Sequence, residues 1–299
     1  MVIKNCIICD DNSSAEIYIN HKDFVIIHCK KCNLCYQQTI RQVGSLEAIY
    51  NNIYESSPYV IKNKYYWKNK MKACYQEISR YKKKPGNLFD IGCSYGFLME
   101  FFISKGWNAT GMDICENAIT YARKQGLDCY MADIANFRHN NKFDVIVMDN
   151  VLEHFENPLE YLKLVKNFLA KDGIIYIRVP NVESVMLSSK IQSFLGDLKP
   201  FEHLFYFSKD TLNLLFDKAG LKGFMKTDGQ ASIGNLLNCY FRSKVVLGNS
   251  WQNLNYRVPS DKKKFYFLLK HIYGEIMSIL DNIRFGSKDR EIVAIASLE

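Results

Sequence analysis

The chain has 299 residues, of which 48% are apolar and 23% are charged, and its formal net charge is +8. A chain of this length and composition can bury a large core without disulfides, which excludes disorder, collagen and coiled coil. It contains no run of about 18 apolar residues, and its first residues lack the apolar segment of a secretory signal. We therefore expect a cytoplasmic protein.

The excess positive charge is concentrated in one segment. Residues 62–84 hold nine basic side chains and a single acidic one, Glu77, whereas the rest of the chain is balanced. Such a segment can meet nucleic acid or an acidic substrate. We favour the solvated face of a basic helix over a nucleic-acid surface.

Half of the ten cysteines lie in the first 35 residues. Two C-x2-C pairs, separated by nineteen residues, are formed by Cys6, Cys9, Cys29 and Cys32. This spacing is typical of a structural Zn²⁺ site, in which four thiolates complete a tetrahedral shell and leave no open position for catalysis. The alternative is a coincidence of buried free cysteines.

The residues around the cysteine pairs predict a zinc ribbon. Asp10 and Asn33 follow the two pairs, and both residue types tolerate the left-handed backbone that suits such a turn. Residues 16–19 and 24–28 are predicted as short strands. Cys35 could replace Cys32 as a ligand, and we choose Cys32.

From residue 86 onwards, apolar runs alternate with amphipathic stretches. Strands are predicted at 87–91, 109–114, 129–132, 143–149, 173–179, 224–230 and 291–297, and helices at 97–104, 118–124, 159–170 and 209–219. This alternation predicts a parallel sheet with helices on both faces. Ligands of such sheets bind beyond the carboxyl ends of the strands.

Three features lie at that edge. A glycine-containing turn follows the first strand, where Gly92 and Gly96 allow the backbone to approach a ligand closely. Asp113, 21 residues after Gly92, can accept both hydroxyls of a ribose. Asp133, after the third strand, can meet an adenine amino group. A dinucleotide site would accept the same residues.

The motifs in combination resemble class I S-adenosylmethionine (SAM)-dependent methyltransferases, particularly bacterial ones with an N-terminal zinc ribbon. The resemblance covers about three quarters of the chain and rests on the paired cysteines and on residues 88–93, 143–146, 150–154, 179–181 and 202–208. It implies an α/β fold with a Rossmann-like seven-stranded class I methyltransferase sheet, an N-terminal zinc ribbon and a helical insertion before the last strand. The expected domains are a ribbon at 1–45, a basic helical connector at 46–85 and a methyltransferase domain at 86–299, with the insertion at 231–289.

The resemblance also implies the residues that bind SAM. Those beside its methionine part are Asp90, Gly92, Ser94 and Gly96. Asp113 and Ile114 border the ribose and adenine, Asp133 and Ile134 border the adenine, and Asn150 lies at the reacting end. Ser94 departs from the usual glycine, and we expect little effect because a small residue remains at the turn.

A hydroxyl acceptor needs a base, and histidine titrates in the useful range. Two histidines follow a glutamate, in Glu153-His154 and Glu202-His203. Zinc-ribbon sugar methyltransferases place a Glu-His pair in a loop that resembles residues 200–208. The resemblance therefore implies His203 as the base, with Glu202 orienting it. His154 is either a second candidate base or a residue that orders its loop.

The predicted function is methyl transfer from SAM to a small-molecule or glycan acceptor, most specifically a sugar hydroxyl. One alternative is an RNA methyltransferase that uses the ribbon and the basic segment, and another is a non-catalytic adaptor. Residues 262–283 are interpreted as a helical cap over the substrate or as a peripheral membrane contact. The sequence leaves the oligomeric state open.

Overall fold

A computed structural model describes residues 3–21, 23–39, 64–182, 202–228, 231–232, 284–285 and 291–298. The helices in these parts are α1 (Lys64–Tyr81), α2 (Phe97–Ile103), α3 (Glu116–Lys124), α4 (Pro158–Lys166) and α5 (Lys209–Ala219). The first six strands are β1 (Ala15–Asn20), β2 (Phe24–Cys29), β3 (Cys35–Thr39), β4 (Asn87–Ile91), β5 (Asn108–Asp113) and β6 (Asp128–Met131). The others are β7 (Phe143–Asp149), β8 (Leu169–Pro180), β9 (Phe205–Tyr206), β10 (Leu221–Asp228), β11 (Ala231–Ser232), β12 (Arg284–Phe285) and β13 (Glu291–Leu298).

Seven strands form the central sheet, in the order β6-β5-β4-β7-β8-β13-β10. The pairs β4/β5, β5/β6, β4/β7 and β7/β8 are parallel, so the carboxyl ends of these strands meet at one edge. The last strand in the sequence lies between β8 and β10, which also makes the predicted sixth and seventh strands neighbours. The sheet is the seven-stranded Rossmann-like arrangement that the sequence predicts.

Side chains on both faces of this sheet are buried. Four consecutive residues of β7, Val145–Met148, are buried, as expected for a parallel strand covered on both sides. Ile146 and Met148 belong to one apolar core, whereas Val145 and Val147 belong to the other. This alternation is why the strand appears in the sequence as an uninterrupted apolar run.

The predicted helix at 159–170 and the strand at 173–179 need a correction at their junction. The helix ends at Lys166, and β8 already begins at Leu169. The reason is tertiary: the main-chain N–H of Phe143 donates to the oxygen of Phe168 over 2.9 Å, and Phe143 pairs with Leu169. Pairing with the start of β7 therefore takes these residues out of the helix.

The N-terminal ribbon is a four-stranded sheet in the order β1-β2-β3-β9. The two strands predicted between the cysteine pairs are β1 and β2, which pair antiparallel. β3 pairs antiparallel with β2, and β9 pairs antiparallel with β3. The sequence analysis did not predict β3, and it treated 200–208 as a loop. The ribbon sheet thus contains a strand that lies some 170 residues further along the chain.

The ribbon and one face of the central sheet share an apolar core. Val25, Ile27 and Leu34 of the ribbon are buried in the same cluster as Phe205 and Phe207. The chain as a whole divides into two compact units, one of residues 1–179, 200–226 and 292–299, the other of residues 180–199 and 227–291. The ribbon and most of the central sheet therefore belong to the first unit.

The second unit includes the whole of the predicted insertion at 231–289. Its ends are strands rather than helix: Ala231 pairs with Phe285 and Ser232 with Arg284, antiparallel. The rest of that insertion, with the segment 262–283, lies outside the described residues, as do residues 46–63 of the predicted connector. No helix in the described parts of the chain is long and apolar enough to cross a membrane.

Candidate functional site

The four cysteines chosen from the sequence are brought together by the two turns of the ribbon. The Sγ atoms of Cys6 and Cys32 lie 3.5 Å apart, and those of Cys9 and Cys29 lie 4.0 Å apart. All four sulfur atoms lie within 4.8 Å of one another. A tetrahedral zinc ion with bonds of about 2.3 Å needs sulfur atoms about 3.8 Å apart. The geometry of the donor set therefore fits Zn²⁺.

Both cysteine turns have the same backbone geometry. The N–H of Asp10 donates to the oxygen of Cys6 and that of Asn33 to the oxygen of Cys29, each over 2.7 Å. Asp10 has φ of 52° and Asn33 has φ of 64°, the left-handed conformation expected from the sequence. Each turn thereby directs two thiols to one point.

The Sγ atoms of Cys6 and Cys32 lie within hydrogen-bonding distance, and either thiol could be the donor. Hydrogen bonding from Cys32 lowers the pKa of Cys6 to about 5, and the same contact raises the pKa of Cys32. Cys35 does not join the four: it lies buried in β3, and burial raises the pKa of its thiol to about 12. Cys35 is therefore set apart from the four cysteines by its position in β3.

The turn between β4 and α2 carries the predicted glycines. Gly92, Ser94 and Gly96 all have positive φ, at 74°, 50° and 77°. A Cβ on Gly92 would lie 2.5 Å from a methyl carbon of Val151, so no larger residue fits there. The N–H groups of Gly92 and Cys93 donate to the oxygen of Met112 at 2.8 and 2.9 Å, which fixes the turn against β5.

Asp113 ends β5 beside this turn. One carboxylate oxygen accepts the N–H of Ser94 and the other accepts the N–H of Cys115, both at 2.9 Å. Each oxygen retains further acceptor capacity, which is what a pair of ribose hydroxyls requires. Burial raises the pKa of Asp113, against the opposing effect of these hydrogen bonds. Ile114, the next residue, continues the same edge.

The carboxyl edge of the sheet is rich in buried acid. Asp90 is buried, and its pKa is held well above the usual range by burial and by the neighbouring charges of Asp149 and Asp113. Asp149 lies at the end of β7, 3.5 Å from Nε of Arg178. These contacts bring together the carboxyl groups of Asp90, Asp113 and Asp149 and one cationic side chain, that of Arg178. Such an excess of acidic groups suits a positively charged ligand such as SAM.

Asp133 and Ile134 follow β6, and Ile134 is buried. The hydroxyl of Tyr161, in α4, donates to the Asp133 carboxylate, at 3.1 and 3.3 Å from its two oxygens. Burial and the charge of Asp133 raise the pKa of Tyr161 to about 12. The ring of Tyr161 stacks on Phe155 with 4.0 Å between centroids. The sequence analysis did not identify Tyr161, because only packing of α4 brings it to Asp133.

Asn150 follows β7 in a left-handed conformation, with φ of 57°. Its N–H donates to the oxygen of Arg178 at 2.9 Å, and its side-chain amide donates to Asp149 at 2.8 Å. These two hydrogen bonds fix Asn150 at the carboxyl edge of the sheet. The next residue, Val151, packs on Gly92. The place of Asn150 at the reacting end of SAM stays a prediction.

A cluster of one carboxylate and two imidazoles lies just beyond Asn150. Glu153 is fully buried, and its Oε1 is 3.9 Å from Nε2 of His154 and 4.0 Å from Nε2 of His203. The two rings meet edge to face with centroids 4.9 Å apart. Glu153 and His154 lie in a short 3-10 helix, Leu152–His154.

This cluster changes the view of the two Glu-His pairs. The carboxylate beside both imidazoles is that of Glu153, to which the sequence analysis gave no role. Glu202 contributes its main-chain oxygen, 2.6 Å from Nδ1 of His154. The repeated Glu-His pattern was the signal in the sequence, but which glutamate meets which histidine depends on the fold.

The strand order, together with a match to a methyltransferase-domain family, makes the chain a class I SAM-dependent methyltransferase. In a dinucleotide-binding sheet, the last strands lie side by side in the same order as they follow one another along the chain. Here β13 lies between β8 and β10 instead. The chain belongs to a methyltransferase-domain family, whose model matches residues 64–224, more than half of its length.

Two curated relatives and one solved structure illustrate the similarity. A ubiquinone biosynthesis O-methyltransferase of Actinobacillus pleuropneumoniae is 31% identical over 106 residues, which are 31% of this chain and 45% of that protein. A protein of Papaver bracteatum named "Probable (S)-tetrahydroprotoberberine N-methyltransferase 2" is 24% identical over 175 residues, 48% of this chain and 49% of the relative. The chain thus spans just under half the length of these relatives.

The structural similarity concerns the fold. A SAM-dependent methyltransferase from Archaeoglobus fulgidus superposes with a TM-score of 0.51 and 19% identity, covering 80% of this chain and 99% of that one. Together with the family match, it places the chain among the methyltransferases.

Proposed function

We propose that the protein transfers the methyl group of SAM to a hydroxyl of a small-molecule or glycan acceptor, with a sugar hydroxyl as the specific acceptor group. His203 is the general base, and Zn²⁺ held by the four ribbon cysteines is structural. The observation that carries this proposal is the buried Glu153 carboxylate beside the two imidazoles, at the edge where Asn150 stands.

The cofactor residues have separate tasks. Asp113 would accept the ribose hydroxyls, Asp133 the adenine amino group, and the buried Asp90 would favour the positive charge of the methionine part. When bound, SAM supplies a methyl group on a cationic sulfur, which is already a strong electrophile. What the protein must add is alignment of the acceptor and removal of its proton.

Glu153 makes a histidine at this position a better base. When His203 takes the hydroxyl proton it becomes a cation about 4 Å from the buried carboxylate. Two opposite unit charges at that distance attract by about 4 kcal/mol at an effective dielectric constant of about 20. The carboxylate therefore favours proton transfer to the imidazole.

We assign to His154 the task of holding the loop and to His203 that of the base. A main-chain oxygen only accepts hydrogen bonds, so the contact of Nδ1 with the Glu202 oxygen requires a proton on that nitrogen. The contact ties the Leu152–His154 helix to the segment that carries His203. His154 then orders the two sides of the cluster relative to each other.

A hydroxyl is the acceptor type that most needs such a cluster, because an alcohol does not ionise near neutral pH. The similarity to an O-methyltransferase supports oxygen as the accepting atom. The choice of a sugar rests on the resemblance of residues 202–208 to zinc-ribbon sugar methyltransferases.

A panel of acceptors tests the proposal. Zinc-loaded protein is incubated with SAM and, separately, with sugar nucleotides, free oligosaccharides, a catechol, a benzylic amine and mixed RNA, and release of S-adenosylhomocysteine is followed by mass spectrometry. We expect turnover with a sugar-containing acceptor. Turnover confined to the catechol or the amine would refute the sugar assignment, and turnover with RNA alone would favour the RNA alternative.

Matched histidine variants then test the base. With the acceptor found, His203→Gln should lower kcat by about 100-fold or more and leave the affinity for S-adenosylhomocysteine unchanged. His154→Gln should lower kcat less, and His139→Gln, a histidine that stacks on Phe143 at the opposite end of β7, should not. Full turnover by His203→Gln would remove His203 from the mechanism.

A further inference from the structure

The segment that carries His203 is hydrogen-bonded to the ribbon. β9 pairs with β3 in the register Cys35 with Tyr206 and Tyr36 with Phe205. The ladder continues one residue further, because the main-chain N–H of Gln37 donates to the oxygen of Leu204 over 2.7 Å. The ribbon therefore contacts the residue directly after His203.

The same segment is hydrogen-bonded on its other side to the methyltransferase edge. The N–H of Leu204 donates to the oxygen of Glu153 over 2.8 Å. Nδ1 of His154 lies 2.6 Å from the oxygen of Glu202. His203 thus stands between two neighbours whose main chains are both fixed, and Leu204 joins the ribbon to Glu153 through its own N–H and oxygen.

Side-chain packing supports the same connection. Val25, Ile27 and Leu34 of the ribbon share one apolar core with Phe205 and Phe207 on the two sides of Tyr206. The Tyr206 ring lies edge to face with that of His203, with 6.0 Å between centroids. A displaced β3 would therefore move both the main chain and the packing around His203.

We propose that the ribbon positions the catalytic base: β3 serves as the template on which residues 204–206 are held, and the main-chain amide of Gln37 is a positioning group for His203. This inference rests on the proposed function of His203. The ribbon thereby takes part in forming the active site. From the sequence, it was expected to be only a structural module or a surface for partners.

The consequence for catalysis follows from the sensitivity of proton transfer to distance. A single neutral hydrogen bond makes only a modest net contribution to stability. Displacing a reacting group by about 1 Å can nevertheless lower a rate by about 100-fold. Loss of the Gln37 contact should therefore affect turnover much more than folding.

The test compares Gln37→Pro with Gln37→Ala. Both variants lose the glutamine side chain, but only proline also removes the N–H that faces Leu204. Relative to the alanine variant, we expect the proline variant to keep its zinc and its affinity for S-adenosylhomocysteine and to lose at least about tenfold in kcat. In histidine-labelled protein the NMR titration midpoint of His203, assigned with His203→Gln, should fall, because the imidazole moves away from Glu153.

The NMR measurement needs no acceptor, so it separates this inference from the proposed function. An identical His203 titration in folded, zinc-loaded proline and alanine variants would overturn the positioning role. Full turnover by His203→Gln would instead overturn the base assignment.

Hydrogen exchange provides a second test, on the unaltered protein, for the case that Gln37→Pro does not fold. Removing zinc with a chelator should speed exchange of the Phe205 and Tyr206 amides in β9 together with those of β3, while the amides of β4 and β5 stay protected. Unchanged protection of the β9 amides with a freely exchanging β3 would refute the template.

Discussion

The main-chain N–H of Ser94 donates a hydrogen bond to Oδ2 of Asp113 over 2.9 Å. The bond joins the turn after β4 to the last residue of β5, two features that the sequence presents nineteen residues apart. To make it, Ser94 adopts φ of 50°, which costs a non-glycine residue about 1 kcal/mol. The contact orients the Asp113 carboxylate, to which we assign the ribose hydroxyls.

Replacing Asp113 should therefore damage the cofactor site in two steps. Asp113→Asn keeps one oxygen acceptor, whereas Asp113→Ala leaves the N–H groups of Ser94 and Cys115 without that carboxylate. We expect calorimetric titration with S-adenosylhomocysteine to show about tenfold weaker binding or more for alanine, about 1.4 kcal/mol, and an intermediate loss for asparagine. Exposed Asp217→Asn is the control, and equal affinity of the alanine variant and wild type would contradict the site.

The buried Asp90 should make the stability of the protein depend on pH, in the opposite direction from a carboxyl group whose pKa falls on folding. Its folded-state pKa is raised, chiefly by burial, so its ionisation favours the unfolded chain. The stability contribution is full below the unfolded pKa of about 3.9 and is lost as pH rises through the folded pKa. In cofactor-free protein, Asp90→Asn should therefore raise the midpoint of thermal unfolding by an amount that grows with pH.

Denaturation of wild type and Asp90→Asn between about pH 5 and about pH 8 measures this effect. Exposed Asp172→Asn corrects for the loss of one surface charge. A difference that shrinks with rising pH would show that Asp90 is stabilised as an anion. The same substitution should weaken binding of S-adenosylhomocysteine, because we expect the Asp90 carboxyl group to contribute to ligand binding and not to stability.

The sequence was sufficient wherever the structure depends on neighbours along the chain. The bounds of β4, β7 and α5 are those predicted, because the signals that set them act locally. These signals are the apolar runs, the Pro85-Gly86 pair that precedes β4 and Gly220, which follows α5. Asp10 and Asn33 take the left-handed conformation for the same reason. The seven-stranded sheet followed from the order of these elements together with the family resemblance.

The contacts that could not be predicted join distant segments. Glu153 meets His203, 50 positions later in the sequence, only because the later segment returns to the edge of β7, where the Glu202 oxygen contacts His154. Phe205–Tyr206 is too short to be recognised as a strand until β3 lies beside it. Tyr161 reaches Asp133 through the placement of α4, and no local pattern records that distance.

Tyr161 should contribute to cofactor affinity through Asp133. Tyr161→Phe keeps the ring that stacks on Phe155 and removes only the hydroxyl. We expect affinity for S-adenosylhomocysteine to fall by about threefold to tenfold, in line with about 0.5–1.5 kcal/mol for one hydrogen bond. Because the pKa of Tyr161 is about 12, the loss should be the same at about pH 7 and about pH 9.

Tyr81→Phe is the control for this change, since Tyr81 is 43% exposed at the end of α1. An unchanged affinity in Tyr161→Phe would show that Asp133 needs no orientation. A loss that disappears at the higher pH would indicate instead that Tyr161 ionises there, because a phenolate has no proton to donate to Asp133.

Cys35 provides a matched control for the metal site. Both Cys29 and Cys35 are buried in the ribbon, but only Cys29 lies within the group of four thiols. We expect about one zinc ion per chain in wild type and in Cys35→Ser, and a loss of zinc and of ribbon structure in Cys29→Ser. Elemental analysis of purified protein measures the zinc, and a zinc loss in Cys35→Ser that matches that in Cys29→Ser would reassign the ligands.

Gly92 and Gly126 have similar backbone conformations but different surroundings. Comparing them separates the effect of a positive φ from the effect of close packing. Gly92 has φ of 74° and Gly126 has φ of 79°, so an alanine at either position carries the left-handed cost of about 1–2 kcal/mol. A Cβ at 126 would meet nothing within 4 Å, whereas a Cβ at 92 would press on Val151 at 2.5 Å. Gly92→Ala should therefore destabilise the protein more than Gly126→Ala in chemical denaturation. It should also displace Asn150 through Val151 and weaken binding of S-adenosylhomocysteine, which Gly126→Ala should leave intact. Equal effects of the two substitutions on binding would mean that the close approach at Gly92 does not shape the cofactor site.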